Sequence, residues 1–519
     1  MPLSQIASNR QITPSSLTSI AGAAPKQALG QRYLWLQYLR GFAASAVLLY
    51  HAAHYLGELR GQSALLQVFS GAWGTYGVSI FFALSGYLMA QLISRDDPRR
   101  FLLNRIIRIY PLMLVVVMLA FAGYASTGPI RRPDILPLTL IPAGPRDYYL
   151  GVEWTLLFEM TYYVVIVALA LAGLRRWLDG VFVAWLVSIP VVSAIALGPA
   201  ETLTPTLTQL FGQSTNTAFV LGFLLPRVLE RSPRAGILVA LALPFLGATF
   251  MLSHEDAQRW TSSISATLLL AAAIKASQFG IAPVSRVGLR LGDASYALYL
   301  CHVPIILIFE RFLPASMSGH WVFGIWVGAS LAAAFLLAPL DLRLHIRLKR
   351  WADGLSSKAL SRSTSLFLAC FVAIGIFADI NTRRTQTAAD NARAALLANP
   401  AKPVSDLLVG LDSTSLRDDG RALLRGYGID LRRPDEGSHI AIQQNKEIIG
   451  FDRMRRMRPN IAIEASGADL KRYRFGFSVM TKTPLDCARG PLSASLILSD
   501  GRVAPIDSSA LAAMCPPHS

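Results

Sequence analysis

Charged residues are scarce in this sequence. Only 16% of its 519 residues are Asp, Glu, Lys or Arg, whereas 53% are hydrophobic, and the mean hydropathy is +0.43. The charged fraction of an ordinary soluble domain is about 25%. The shortage therefore argues against a soluble enzyme and predicts that a lipid bilayer surrounds much of the chain.

Acidic residues are fewer than basic ones. The chain has 32 Asp and Glu against 49 Lys and Arg, which gives a formal net charge of +17. Nucleic-acid binding is one explanation of such an excess. The basic residues lie in short clusters between apolar runs, however, and this is the pattern that orients multi-pass membrane proteins. We therefore expect the bilayer, and no nucleic acid, as the partner of these charges.

Cysteine is also rare, and neither pair of the four cysteines has the spacing of a zinc site, so we expect no bound metal. Cys301 and Cys370 lie in apolar runs and are interpreted as small buried side chains. Cys487 and Cys515 lie in a polar C-terminal stretch, where they could form a disulfide if that stretch is outside the cytoplasm. A cleavable signal peptide is not visible either. Residues 1–32 have no apolar core, and we interpret them as a mobile cytoplasmic leader.

Long apolar runs are the main feature of the chain. A bilayer core about 30 Å thick requires roughly 20 residues of helix. Eleven runs of about this length predict an all-helical membrane bundle of about ten core helices plus an eleventh, at 33–56, 73–93, 109–126, 152–173, 180–197, 213–229, 236–253, 262–277, 293–312, 321–341 and 365–380.

The charges between the runs predict the orientation. With the N-terminus in the cytoplasm, the loops that face inward are much richer in arginine than those that face outward. The inward set is Arg95, Arg99, Arg100, Arg105, Arg108, Arg175, Arg176, Arg227, Arg231, Arg234, Arg286 and Arg290, followed by the basic loop 342–364. The outward set is Arg60, Arg131, Arg132, Arg146 and Arg259. This arrangement predicts a multi-pass protein of the inner (plasma) membrane.

An odd number of spans places residues 381–519 outside the cytoplasm. This segment is polar. It begins with an Ala-rich stretch, NTRRTQTAADNARAALLANP, that is typical of a helix. Short alternating runs follow, HIAIQQNKEIIGF, RFGFSV and ASLILSDGRVAPI, and these predict strands. We therefore expect a small extracytoplasmic α+β domain, whose role the sequence leaves open.

Two polar residues lie on one face of the first apolar helix. Arg40 and His51 are eleven residues apart, so their side chains lie within about 20° of one another around the helix and about 16 Å apart along it. Each alone could be an interfacial residue whose polar end reaches the membrane surface. On a shared face they favour a polar track through the bundle. His54 is a second choice nearer to solvent.

A basic cluster precedes the third run. Arg105 and Arg108 are three residues apart and so adjacent on one helical face. Arginine binds phosphates with paired hydrogen bonds, which suits a polyanionic ligand such as coenzyme A. The positive-inside signal by itself is the competing explanation.

Carboxylates and a further histidine accompany the later runs. Glu159 lies in the apolar run 152–173, where a carboxylate is costly unless it is paired with Arg or His or acts as an acid or base. Glu153 is expected to be solvated. His302, in the run 293–312, is interpreted as a hydrogen-bonded structural residue.

Five motifs in order resemble the acyltransferase-3 family of bacterial membrane enzymes. The resemblance covers about residues 33–341, and two positions, Gln37 and Met160, depart from the usual acidic residues. The motifs are LRGFAASAVLLYH with Arg40 and His51, FFALSGYL at 81–88, Arg105 and Arg108 followed by IYP at 109–111, WTLLFE at 154–159, and SYALYLCH at 295–302.

The resemblance implies a membrane O-acyltransferase that moves an acyl group, acetyl or succinyl, from acyl-CoA to a hydroxyl of an envelope or exported polysaccharide. It implies that Arg105 and Arg108 hold acyl-CoA, that Arg40 lines its entry, and that His51, with Glu159, carries the catalysis. Acyl-CoA is then a donor substrate, and no cofactor is bound permanently. The alternative is a non-enzymatic transporter or flippase of a lipid-linked glycan, because buried Arg, His and Glu also mark substrate pathways.

Overall fold

The computed structural model describes residues 24–125, 135–146, 148–195, 202–279, 285–398, 402, 407–416, 420–432, 438–445, 447–454, 456–457, 474–506, 511 and 514–515. Over these ranges the chain forms two compact units, Met1–Asp379 and Ile380–Ser519.

The first unit is helical. Each of the eleven predicted runs overlaps one of its longer helices, which confirms the helical class over the described ranges. These helices are α1 (Ala24–Arg60), α2 (Gly71–Ile93), α3 (Pro98–Ala125), α4 (Glu153–Leu171), α5 (Leu178–Ile195), α6 (Thr217–Val228), α7 (Ala235–Met251), α8 (Glu255–Gln278), α9 (Arg286–Glu310), α10 (Gly319–Asp353) and α11 (Ser357–Ala398). Helices α10 and α11 extend into the predicted loop 342–364, so residues 342–353 and 357–364 are helical.

Six of the described helices, α2, α3, α4, α9, α10 and α11, are long and apolar enough to cross a membrane. Helix α1 has the length, but Gln37, Arg40, His51 and His54 lower its mean hydropathy. Helices α5, α6 and α7 have 18, 12 and 17 residues. The presence of membrane-spanning helices is therefore confirmed, whereas the count of ten or eleven spans stays a prediction.

Glycines bring α1 close to α9. A Cβ atom at Gly41 of α1 would lie 3.0 Å from the backbone nitrogen of Gly292 in α9, and a Cβ at Gly292 would overlap the backbone of Gln37. Only glycine permits this approach. The same holds between α2 and α6, where a Cβ at Gly86 would overlap the carbonyl of Phe219. Gly41 and Gly292 thus allow α1 and α9 to lie against each other.

An ion pair joins the C-terminal ends of α1 and α9. Nε of Arg60 donates to Oε1 of Glu310 at 2.9 Å, and Nη1 of Arg60 donates to the carbonyl of Pro314 at 2.9 Å. The Arg60 side chain is only 7% exposed. A buried charge is tolerated because it is paired and hydrogen-bonded. This contact fixes the register of the two helices.

The second unit contains eight strands. They are β1 (Leu407–Leu416), β2 (Ala422–Asp430), β3 (His439–Gln444), β4 (Glu447–Arg453), β5 (Arg456–Met457), β6 (Arg474–Met480), β7 (Leu492–Ile497) and β8 (Val503–Ile506). They pair antiparallel in two four-stranded sheets with the orders β1-β2-β6-β5 and β4-β3-β7-β8. The predicted strands are confirmed, and Gly501 of the predicted DG turn has φ +84°.

A helix and a disulfide bond complete the second unit. The predicted Ala-rich helix is the C-terminal part of α11, where Ala392 and Leu396 pack against Ile497 and Val503. Cys487 and Cys515 form a disulfide, with their Cα atoms 5.1 Å apart. The α+β composition is therefore present, although the strands dominate.

Candidate active site

Two histidines meet between α1 and α9. Nδ1 of His51 lies 3.1 Å from Nε2 of His302, and their ring centres are 5.0 Å apart. Nδ1 of His51 also lies 3.0 Å from the carbonyl oxygen of Val47, and Nδ1 of His302 lies 3.0 Å from that of Leu298. His302 is only 1% exposed. Sequence reasoning placed His51 on a polar face of the first helix and interpreted His302 as structural, so it did not bring the two together.

The second ring nitrogen of His51, Nε2, is the candidate for proton transfer in this pair. Nε2 of His51 has no hydrogen-bond partner among the described residues. This atom is not fully buried. Tyr50 and Tyr55 flank the ring, with centres 4.9 and 6.4 Å away. The imidazole is thus held in place at one nitrogen and open at the other, an arrangement that suits proton transfer.

Two hydroxyls bind Glu159 of α4. Ser85 of α2 donates to Oε1 at 3.0 Å, and Tyr163, one turn along α4, donates to the same oxygen. Glu159 is also close enough to Arg108 for electrostatic interaction. It therefore belongs with the arginine cluster, and the structure shows no contact between Glu159 and His51 within the described ranges. Its role as an acid or base stays a prediction.

The two arginines of the basic cluster differ in their surroundings. Nη1 of Arg108 donates to Oδ2 of Asp341 in α10 at 2.6 Å, and its guanidinium lies 4.6 Å from the ring centre of Tyr296. Arg105 lies 6.0 Å from the ring centre of Phe101, and its buried Nε has no hydrogen-bond partner in the described part of the chain. Arg105 is thus the arginine that lacks an acceptor.

A buried histidine lies beside this cluster. His345 is one turn beyond Asp341 on α10 and is only 4% exposed. Both of its ring nitrogens are buried without a partner among the described residues. Arg108, Asp341 and Arg105 all lie close enough to interact with it electrostatically. An unpaired buried polar group is costly, so His345 marks a place where a polar ligand or water is expected.

Polar side chains connect the arginine cluster to the histidine pair. On α9, Tyr296, Tyr299 and His302 are three residues apart, so they span about 9 Å along one face. Tyr299 lies within hydrogen-bond distance of Thr155 in α4, with the two hydroxyl oxygens 2.7 Å apart. Glu159 follows Thr155 by one turn. Polar side chains of α9 and α4 therefore lie at intervals between the anion-binding candidate and the proton-transfer candidate.

Arg40 lies elsewhere. It interacts electrostatically with Asp293 of α9, which also accepts a hydrogen bond of 2.6 Å from Gln37. Because α1 is continuous, Arg40 is about 16 Å along the axis from His51. The structure does not bring these two motif residues into contact.

The expectation that Glu153 is solvated was wrong. Glu153 is 1% exposed, and its Oε1 accepts hydrogen bonds from the backbone nitrogens of Tyr149 and Leu150 at 2.9 and 2.7 Å. It stabilises the loop that precedes α4 by satisfying free backbone donors. His54, the second choice on α1, lies 3.4 Å from Glu58 at an exposed position.

Two further features of the site were missed by sequence reasoning. Ser85 and Tyr163 flank Glu159, and only the four-residue spacing from Glu159 to Tyr163 was visible in the sequence. Asp341 and His345 share a face of α10. No group of three metal-ligating side chains occurs in the described ranges.

Comparison with known proteins identifies the family. The model of the acyltransferase-3 family, described as an acyltransferase domain, matches residues 33–339. The exopolysaccharide production protein ExoZ of Rhizobium meliloti (strain 1021) is 28% identical over 314 residues, which are 55% of this chain and 95% of ExoZ. The acyltransferase MdmB of Streptomyces mycarofaciens is 27% identical over 343 residues, 59% of this chain and 86% of MdmB. No solved structure matches the chain.

The matched region holds the histidine pair, both arginines and Glu159, whereas Asp341 and His345 lie just beyond it. Its helices include apolar ones that can cross a bilayer. A non-enzymatic transporter no longer accounts for the chain. It is a multi-pass membrane protein that belongs to the acyltransferase-3 family and acts as an acyltransferase.

Proposed function

We propose that the chain transfers an acetyl group from acetyl-CoA to a hydroxyl of an envelope or exported polysaccharide. The observation that carries this proposal is the open Nε2 of His51 in a chain of the acyltransferase family. The likeness to a protein named for exopolysaccharide production supports a polysaccharide acceptor.

His51 acts as the general base. Its Nε2 removes the proton of the acceptor hydroxyl while the hydroxyl oxygen attacks the thioester carbonyl. When the tetrahedral intermediate collapses, the C–S bond breaks and the thiolate takes the proton back from Nε2. The products are the O-acyl ester and free coenzyme A, so atoms and charge balance without another reactant.

Arg105 binds the donor. Its Nε has no acceptor in the part of the chain that the structure describes. The carboxylates described near it accept hydrogen bonds from other groups, since Asp341 pairs with Arg108 and Glu159 accepts from two hydroxyls. A phosphate supplies the missing acceptor oxygens with suitable geometry. The polar side chains of α9, Tyr296, Tyr299 and His302, then lie between the phosphate end of the donor and His51.

The same proposal includes the topology. The N-terminus and the arginine cluster face the cytoplasm, where acyl-CoA is made, and residues 381–519 lie outside the inner membrane. The inside-positive distribution of arginine supports this orientation. The disulfide between Cys487 and Cys515 fits an oxidising compartment. Arg40, which interacts with Asp293, lines the donor entrance at the N-terminal part of α1.

Mass spectrometry of the host's surface and exported glycans tests the function. We expect glycans of a strain that carries the gene to contain a base-labile modification with the mass of an acetyl group, and those of the deletion strain to lack it. Complementation with the intact gene should restore the modification, and complementation with a His51→Ala variant should not. Identical glycans in the two strains would contradict the polysaccharide acceptor.

A further inference from the structure

The carbonyl groups around the histidine pair determine which ring nitrogens carry protons. The carbonyl oxygen of Leu298 can only accept a hydrogen bond, so Nδ1 of His302, 3.0 Å away, carries its hydrogen. A neutral imidazole has one N–H. Nε2 of a neutral His302 is therefore bare and faces Nδ1 of His51 at 3.1 Å.

The same logic applies to His51. Its Nδ1 faces two acceptors, the carbonyl oxygen of Val47 at 3.0 Å and the bare Nε2 of His302. Both require that the hydrogen of a neutral His51 is on Nδ1. Its Nε2 is then unprotonated, and this is the nitrogen without a hydrogen-bond partner among the described residues. Two independent contacts thus select the one tautomer in which the open nitrogen can accept a proton.

We propose that His302 is a positioning residue that holds His51 in the tautomer required of a general base. This inference rests on the proposed role of His51. His302 touches neither substrate in the proposed reaction. It acts on Nδ1 of His51, the nitrogen opposite the reactive one.

The pair also stabilises the charge that forms during the reaction. When Nε2 of His51 takes the hydroxyl proton, the ring becomes an imidazolium whose Nδ1–H donates to the lone pair of His302. A hydrogen bond from a charged donor is stronger than one from a neutral donor. His302 therefore favours the protonated intermediate over the resting state, and only such differential interactions accelerate a chemical step.

The surroundings keep His302 in this orientation. Its side chain is 1% exposed, and its Nδ1–H is tied to the preceding turn of its own helix. Gly41 and Gly292 hold α1 and α9 at close approach, so the rings meet without a spacer. A buried, hydrogen-bonded histidine resembles a purely structural one, and its contact with His51 is what distinguishes it.

Three variants of the full-length protein test the proposal. His302→Leu removes the acceptor, whereas His302→Gln retains it, because the amide oxygen can accept from Nδ1 of His51 and the amide nitrogen can donate to Leu298. Cys301→Ala is the matched control, since Cys301 is the preceding residue of α9, is 3% exposed and has no part in the proposed reaction. The measurement is the rate of transfer from radiolabelled acetyl-CoA to polysaccharide from the deletion strain, with KM for acetyl-CoA.

We expect His302→Leu to lower kcat by about 10- to 150-fold, the effect of losing one charge-assisted hydrogen bond in the transition state. KM for acetyl-CoA should not change. His302→Gln should recover most of the rate, and Cys301→Ala should behave as wild type. A structural role alone would lower the folded yield, or would affect Leu and Gln variants equally.

The outcomes separate this inference from the proposed function. If His51→Ala is inactive while His302→Leu keeps the wild-type kcat, the positioning role is overturned and the general base stands. Equal losses in the Leu and Gln variants of folded protein would also overturn it. If His51→Ala itself keeps full activity, the proposed function of His51 fails, and the inference that rests on it fails too.

Discussion

Arg105 offers the sharpest test of the donor site. Among the described residues, the buried Nε of Arg105 has no hydrogen-bond acceptor, whereas Arg108 is paired with Asp341 at 2.6 Å. If Arg105 binds a phosphate of acetyl-CoA, Arg105→Gln removes a charge-assisted hydrogen bond worth about 1.5 to 3 kcal/mol. Acetyl-CoA should then bind about 10- to 150-fold more weakly. Arg105→Lys should be intermediate, because it keeps the charge but loses the paired geometry.

Arg108 should respond differently. The side chains of Arg108 and Asp341 are only 13% and 15% exposed. Arg108→Gln leaves a carboxylate without its partner, and breaking a buried pair in this way costs about 3 to 5 kcal/mol. The single variant should therefore lose folded protein, and adding Asp341→Asn should restore it. The double variant Arg108→Gln/Asp341→Asn is then a control with one cationic side chain fewer but an intact fold.

Calorimetric titration of acetyl-CoA into the purified variants distinguishes the explanations of this cluster. If the arginines serve only the positive-inside rule, replacing both Arg105 and Arg108 with Lys should leave affinity unchanged, since the inward charge is kept. Affinity should likewise be unchanged in any correctly inserted Gln variant. Wild-type affinity of a correctly inserted Arg105→Gln protein would refute the donor-site assignment.

Three further predictions concern other parts of the chain. In the absence of donor, His345→Leu should raise the free energy of unfolding by about 1 kcal/mol, because it removes a buried polar group without a partner among the described residues. The same variant should bind acetyl-CoA more weakly in the calorimetric titration, and unchanged binding would remove His345 from the donor site. Reduction of the Cys487–Cys515 disulfide, which closes a separation of 28 residues, should lower the free energy of unfolding of the second unit by about 3 to 4 kcal/mol in a denaturant titration, and an unchanged midpoint would contradict this. A cysteine introduced at Ser357 should be shielded from impermeant thiol reagents in intact cells and one at Asn391 should be labelled, and the opposite labelling would show that the helices were miscounted.

The helices were predictable because apolar length and flanking charge are local properties of the sequence. All eleven runs overlap helices, and the DG hairpin was visible from alternation around Asp500 and Gly501. The predicted run 213–229 contains the short helix α6, which has only 12 residues. The two-sheet arrangement was not predictable, because pairing such as β2 with β6 joins strands far apart in the chain.

The candidate site residues were visible in the sequence as motifs, but their contacts were not predictable. His51, Arg105 and Glu159 stand in recognisable motifs, yet nothing local indicates that His302 faces His51 across 251 residues of sequence. The expectation of a solvated Glu153 failed because the free backbone nitrogens before α4 offered it hydrogen bonds away from water. Hydrogen bonds that form only in the folded chain thus decide whether a polar residue is buried or solvated.

The most direct test of the account is the transfer of label from radiolabelled acetyl-CoA to polysaccharide from the deletion strain, measured for wild type and His51→Ala at equal membrane levels. The substitution removes a proton acceptor but little apolar packing, so the variant should insert normally. The account predicts labelled polysaccharide with wild type and none above background with His51→Ala. Equal labelling by the two proteins would contradict it.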